Sequence, residues 1–112
     1  MNWQQLCKLG LELPDVEEGT WYGTPALKVR GKGFVRLKED GQSVVFLLDD
    51  VDDQDLLIGE RPDVYHITDH YLGYAAVLAR LSKLRADECR IRLEQAWRQK
   101  ASPALVRRFE AE

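Results

Sequence analysis

An α+β fold built on an antiparallel sheet is predicted by three features of the 112-residue chain. Helical periodicity marks both ends, over residues 2–12 and 85–112. Between them the chain turns to alternating, strand-like composition. Two hairpin signals, Gly31-Lys32-Gly33 and Asp40-Gly41, then join successive strands in antiparallel pairs.

Each element has a local reason. Asn2 can cap the first helix, in which Trp3, Leu6, Cys7 and Gly10 share one face, with Leu13 beyond. Gly10 weakens that helix and so suggests close packing, and Pro14 ends the segment. In residues 24–49 the Asp40-Gly41 turn sets Lys38 opposite Ser43 and Leu37 opposite Val44. A three-residue loop at 31–33 sets Val29 opposite Val35 and Leu27 opposite Leu37. Both turns then place Leu27, Val29, Val35, Leu37, Val44, Phe46 and Leu48 on one face. A two-residue loop at 32–33 would put Arg30 opposite Val35 and scramble it.

Residues 50–61 read as a short helix with an acidic cap that buries Leu56 and Leu57 and stops at Arg61-Pro62. Residues 63–67 alternate as a strand, and a loop follows at 68–73. Residues 74–81 fit a strand or a short helix, and the other strands' need for a partner favours the strand. In the helix over 85–100, Asp87 is the expected N-cap and Cys89, Leu93, Ala96 and Trp97 the buried stripe. Ser102 and Pro103 start a last helix that docks Leu105, Val106 and Phe109.

The totals exclude several classes. The length suits one domain over residues 1–112, and 45% hydrophobic with 31% charged residues is a globular balance. No apolar run reaches the roughly 20 residues that a membrane span needs. The first residues lack the pattern of a secretory signal, so a cytoplasmic location and no membrane association are expected. Cys7 and Cys89 sit inside helical patterns without metal-ligand spacing, which suggests buried apolar roles rather than a disulfide or zinc site. Net charge is −3, but residues 1–79 carry seven Lys/Arg against fourteen Asp/Glu, and residues 80–112 nine against five. A nucleic-acid binder usually shows a basic patch, and only the C-terminal third leans that way.

Two groups of residues are candidates for function. The sheet face opposite the core would carry Lys28, Arg30, Phe34, Arg36 and Lys38, then Val45 and Leu47. Four cations among apolar side chains make an anion-binding surface, or simply a soluble sheet face. Trp21 and Tyr22, on or beside the first strand, would supply stacking. The second group is the run HITDHYLGYAAVLARL at 66–81, with His70, Tyr71, Tyr74 and Arg80 as a binding loop or as packing.

His66 and His70 are four apart, a spacing that chelates metal on a helix, but the segment reads as strand and loop and lacks HExxH, so no metal or cofactor is expected. Asp69 beside His70 could orient an imidazole, but no nucleophile accompanies them. An enzyme centred on His70 is therefore the lesser alternative to a non-catalytic binding module.

Three stretches, LELPDVEEGTWYGTPALKVRGKGFVRL, DLLIGERPDVYHITDHYLGYAAVLARL and EQAWRQKASPALVRRF, together resemble the MmcQ/YjbR family of small bacterial proteins. The resemblance implies a frataxin-like, two-layer fold with the N- and C-terminal helices on one face of the sheet. It also implies DNA as a partner, since the family is commonly labelled DNA-binding, and it brings no established catalytic residues. The family-like middle motif falls on Thr68, His70, Tyr71, Gly73, Tyr74 and Arg80. The acidic total departs from what strong non-specific DNA binding requires. A protein partner or a small anion is the competing expectation, with the chain a monomer or weak homodimer.

Overall fold

A computed structural model describes residues Met1–Glu112. The chain opens with helix α1 (Trp3–Gly10). The Asn2 side chain accepts from Gln5 N–H, and the Gln5 side chain accepts from Asn2 N–H, a reciprocal capping box. Six strands follow: β1 (Val16–Trp21), β2 (Thr24–Val29), β3 (Lys32–Leu37), β4 (Ser43–Leu47), β5 (Tyr65–His66) and β6 (Ala76–Arg80). Helix α2 (Asp52–Glu60) leaves β4, and α3 (Ala86–Lys100) and α4 (Pro103–Ala111) close the chain. The strands form one antiparallel sheet in the order β1-β2-β3-β4-β6-β5. This is the α+β, antiparallel architecture expected, with residues 76–80 as a strand.

One layer of helices covers one sheet face. Leu6 and Cys7 of α1 and Cys89, Leu93, Ala96 and Trp97 of α3 are buried against Leu27, Val29, Val35, Val44 and Phe46 of the sheet. Trp97 is fully buried, donates from Nε1 to the Pro14 carbonyl at 3.0 Å, and meets Phe109 of α4 edge-on at 5.0 Å. Ser102 caps α4 by accepting from Leu105 N–H. No helix is long and apolar enough to cross a membrane.

Burial pushes both thiols up to about 12. A thiol-specific reagent at pH 8 is therefore expected to leave Cys7 and Cys89 unmodified in the folded protein and to titrate both once denaturant is added. Rapid labelling of either without denaturant would contradict their burial.

Several local expectations need correction. The β2–β3 connection is not a three-residue loop at 31–33. Arg30 and Gly31 form a two-residue turn with φ of 48° and 82°, and Val29 pairs with Lys32. A bulge between Leu27 and Lys28 then restores the face, so that Leu27 opposes Val35 rather than Leu37. The bulge sends both Phe34 and Val35 into the helix-covered core, whereas strict alternation places Phe34 on the opposite face.

Strand β1 carries no alternation signal in the sequence, because VEEGTW is an edge strand with only its ends partly buried. In α2, Leu56 is 60% exposed and Leu57 only partly buried, while Gln54 is 98% covered. The N-cap of α3 is Arg85, not Asp87, whose carboxylate accepts only from Glu88 N–H inside the first turn. The strand at 63–67 shrinks to Tyr65 and His66, opposite Ala79 and Leu78.

Candidate ligand-binding cleft

The helix-free face of the sheet is only partly open. Val45, Ala76 and Leu78 form a small buried cluster on it, with Leu47 and Tyr71 packed alongside. Tyr71 arrives from the connection between β5 and β6, which turns through a short 3-10 segment (Asp69–Tyr71) and Gly73 at φ 84°. Gln54 of α2 holds this connection down. Its amide nitrogen lies 2.9, 3.1 and 2.9 Å from the carbonyls of Tyr71, Tyr74 and Ala76. A buried amide with three acceptors in reach fixes the backbone of the segment that carries the aromatic rings.

The opposite wall comes from the β1–β2 hairpin. Tyr22 and Gly23 form its turn, both with positive φ, at 54° and 78°. That is the geometry of a tight two-residue hairpin, but a tyrosine in the left-handed region costs on the order of 1 kcal/mol or more. The residue is 76% exposed, so no core contact accounts for the cost. Trp21 stacks on Tyr22 with centroids 5.3 Å apart. Gly33 makes the room for Trp21: a Cβ there would lie 2.5 Å from Trp21 Cδ2.

Between the walls lies a cleft of about 510 Å³. Trp21 and Tyr22 line one side, and His70, Tyr71 and Tyr74 the other, over a floor of Val45, Leu47 and Ala76. His70 stacks on Tyr74 at 6.2 Å and meets Tyr71 edge-on at 5.0 Å. No hydrogen bond joins the His70 side chain to Asp69 or to any other residue.

Arg36 supplies the charge. It is 7% exposed and lines the same cleft. Its Nη1 donates to Thr24 Oγ1 at 3.2 Å and Glu39 Oε1 at 3.4 Å, and its Nη2 to Tyr71 Oη at 3.0 Å. Tyr22 lies against the guanidinium, 5.4 Å from ring centroid to Cζ. Lys38 Nζ sits 5.6 Å from the Tyr71 ring centroid and 3.4 Å from Glu39 Oε2. A backbone hydrogen bond first, and Lys38 second, hold the Glu39 carboxyl below its usual range.

Two candidate groups, far apart in sequence, therefore meet in space: Trp21, Tyr22, Arg36 and Lys38 face His70, Tyr71 and Tyr74. The remaining candidates lie elsewhere. Lys28 stands opposite Glu17 on β1. Arg30 occupies the β2–β3 turn and pairs with Asp15 at 2.8 Å. Arg80 donates to the carbonyls of Pro62 and Asp63 at 3.2 and 3.3 Å. His66 sits on β5 with Nδ1 buried and unpartnered, and burial first, then Arg80, lowers its pKa.

Gln54 and Gly33 are the positions shaping the cleft that local reading missed. Gln54 sits in an acidic run that reads as solvated, and Gly33 reads as a turn residue. Neither carries a local signal, because the partner that gives each its role is distant in sequence.

The family model YjbR matches residues 11–99, and the chain belongs to that family. Two curated relatives, the uncharacterized proteins Mb2600 of Mycobacterium bovis and Rv2570 of Mycobacterium tuberculosis, are each 38% identical over 53 residues, covering 47% of this chain and 41% of theirs. The aligned part spans about two-fifths of the length of those relatives. No solved structure gives a significant match.

Proposed function

We propose that this YjbR-family chain is a non-catalytic binding module that takes single-stranded nucleic acid through the cleft, with an unstacked base between the aromatic walls. The observation that carries the reading is the convergence of Trp21, Tyr22, His70, Tyr71 and Tyr74 around one buried cation, Arg36. Every base has a π-face, and stacking on an aromatic side chain is worth about 1–3 kcal/mol per base. The duplex hides those faces. A continuous basic track for its phosphates is not supported, since Arg30 is paired with Asp15 and Lys28 stands opposite Glu17. Two free, buried cysteines suit a reducing, cytoplasmic setting.

Fluorescence anisotropy with labelled single- and double-stranded DNA tests this at low and physiological salt. Single strands should bind more tightly than duplex. With only Arg36 and Lys38 at the cleft, the salt dependence should be shallow, about 0.7 to 1.4 log units of affinity per log unit of salt. Trp21→Ala should weaken binding by roughly tenfold, and Arg30→Ala should leave it unchanged. Preference for duplex, or a large loss in Arg30→Ala, would return the reading to a basic sheet face. A second reading, a small planar anion as the ligand, is favoured by the net charge of −3, which repels a polyanion. Absence of DNA binding at any salt would select it or a protein partner.

A further inference from the structure

Two hairpins of the sheet close on the same kind of turn and fill it differently. Trp21 pairs with Thr24 and Val29 with Lys32, so each turn has two residues, Tyr22-Gly23 and Arg30-Gly31. All four residues have positive φ. Such turns favour Asn or Asp before the Gly, because a short polar side chain tolerates the left-handed region. A bulky residue stays there only where its surroundings compensate.

Arg30 finds its compensation inside the fold, where its Nε donates to Asp15 at 2.8 Å. Tyr22 has no such partner. Its side chain makes no hydrogen bond, and the residue is 76% exposed. Its ring rests on Trp21, with centroids 5.3 Å apart, and 5.4 Å from the Arg36 guanidinium. Both contacts hold it at the mouth of the cleft, across from Tyr74, which is also mostly exposed. A ring left in water at the rim of an apolar cleft does little for the fold. It still has apolar area to bury, and a ligand in the cleft is what can bury it.

We propose that Tyr22 is a ligand-contacting residue, kept in a left-handed turn against the preference of the backbone so that its ring covers a base lying in the cleft. This rests on the single-strand reading above. Trp21, fixed in the space over Gly33, supplies the inner wall, and Tyr22 the outer cover. The free protein is then more stable without this tyrosine, and the complex less so. The opposite signs separate a ligand contact from a structural one, because removing a ring that served the fold would lower stability.

The test measures urea unfolding, and anisotropy with a labelled oligothymidylate, on the full-length chain at physiological salt. Tyr22→Asn creates the preferred Asn-Gly turn and should lower the unfolding equilibrium constant roughly fivefold. The same variant should bind the oligothymidylate roughly tenfold more weakly, the worth of one stacking contact. Tyr22→Phe keeps both the ring and the strained turn. It should restore most of the affinity lost in Tyr22→Asn and none of the stability gained. Trp21→Ala serves as the reference for stacking in the cleft. Equal or lower stability of Tyr22→Asn would overturn the proposal by giving the ring a structural use. Unchanged affinity in Tyr22→Asn beside a loss in Trp21→Ala would overturn it and leave the single-strand reading standing. Failure of the wild type to bind the oligothymidylate would overturn both.

Discussion

Replacing Gln54 with Leu is expected to destabilise the protein by about 3 kcal/mol and to free the segment from Tyr71 to Ala76. The reason is an accounting of donors. Three carbonyls converge on one amide nitrogen, and Gln54 is nearly fully covered. Leaving a buried polar group without a partner costs about 1–3 kcal/mol. The total sits near the lower end of the sum, because the segment borders solvent and some carbonyls can turn to water. Leucine keeps the volume, so a cavity does not explain the loss.

Urea denaturation gives the stability, and amide exchange over Leu72–Ala75 gives the local opening. Unchanged protection in that segment would mean the clamp does not hold it. Gln54→Glu adds a check with a sign. A carboxylate facing three carbonyls has its pKa raised by burial and by the carbonyl dipoles, so its penalty is present at neutral pH. As pH falls, protonation restores one donor, and the variant should gain stability relative to wild type toward pH 5. A deficit that ignores pH would argue that the carboxylate has swung into water.

Gly33→Ala is expected to lower affinity for single-stranded DNA by roughly tenfold, the worth of one lost stacking platform. The added methyl would sit 2.5, 2.6 and 2.9 Å from three atoms of the Trp21 ring. Carbon atoms do not approach so closely, so the indole must leave its place. β3 lies in the middle of the sheet and cannot give way as readily as a side chain at the end of an edge strand. The stability cost should be about 1–3 kcal/mol, the usual range for overpacking. Trp21 is partly buried and Trp97 fully buried, so a red shift in emission would report the displacement of Trp21. If affinity and emission both hold, the indole is not the wall described here. Combining Gly33→Ala with Trp21→Ala separates the two roles, since the double variant should recover stability but not affinity.

The cleft also explains why its parts were visible and its assembly was not. Trp21, Tyr22, Arg36, Lys38, His70, Tyr71 and Tyr74 stand out by residue type, because large aromatics and cations at turns or on alternating strands have few purely local uses. Their meeting depends on β6 pairing with β4, which brings the connection after β5 over the sheet beside β3. Lys28 and Arg30 show the converse. Alternation alone gives them the same standing as Arg36. The tight turn and the bulge take Arg30 out of the strand and pair it with Asp15, and the unforeseen β1 sets Glu17 across from Lys28.

Gln54 marks where local reading stops. A glutamine among five aspartates carries nothing that distinguishes a clamp from a solvated side chain. Its role comes from three carbonyls 17 to 22 residues away.

What the linear chain settles is what neighbours within about four residues settle. The Asn2 cap, the Ser102-Pro103 helix start, the Asp40-Gly41 hairpin and the apolar stripe of α3 are of this kind, since periodicity, caps and turn chemistry act over one or two turns. These suffice for the α+β class, while the family resemblance rests on three longer stretches of sequence. Tertiary structure alone decides the depth of Arg36, the covering of Gln54 and the space above Gly33. Burial and donor satisfaction are properties of the packed chain, set by contacts between segments tens of residues apart.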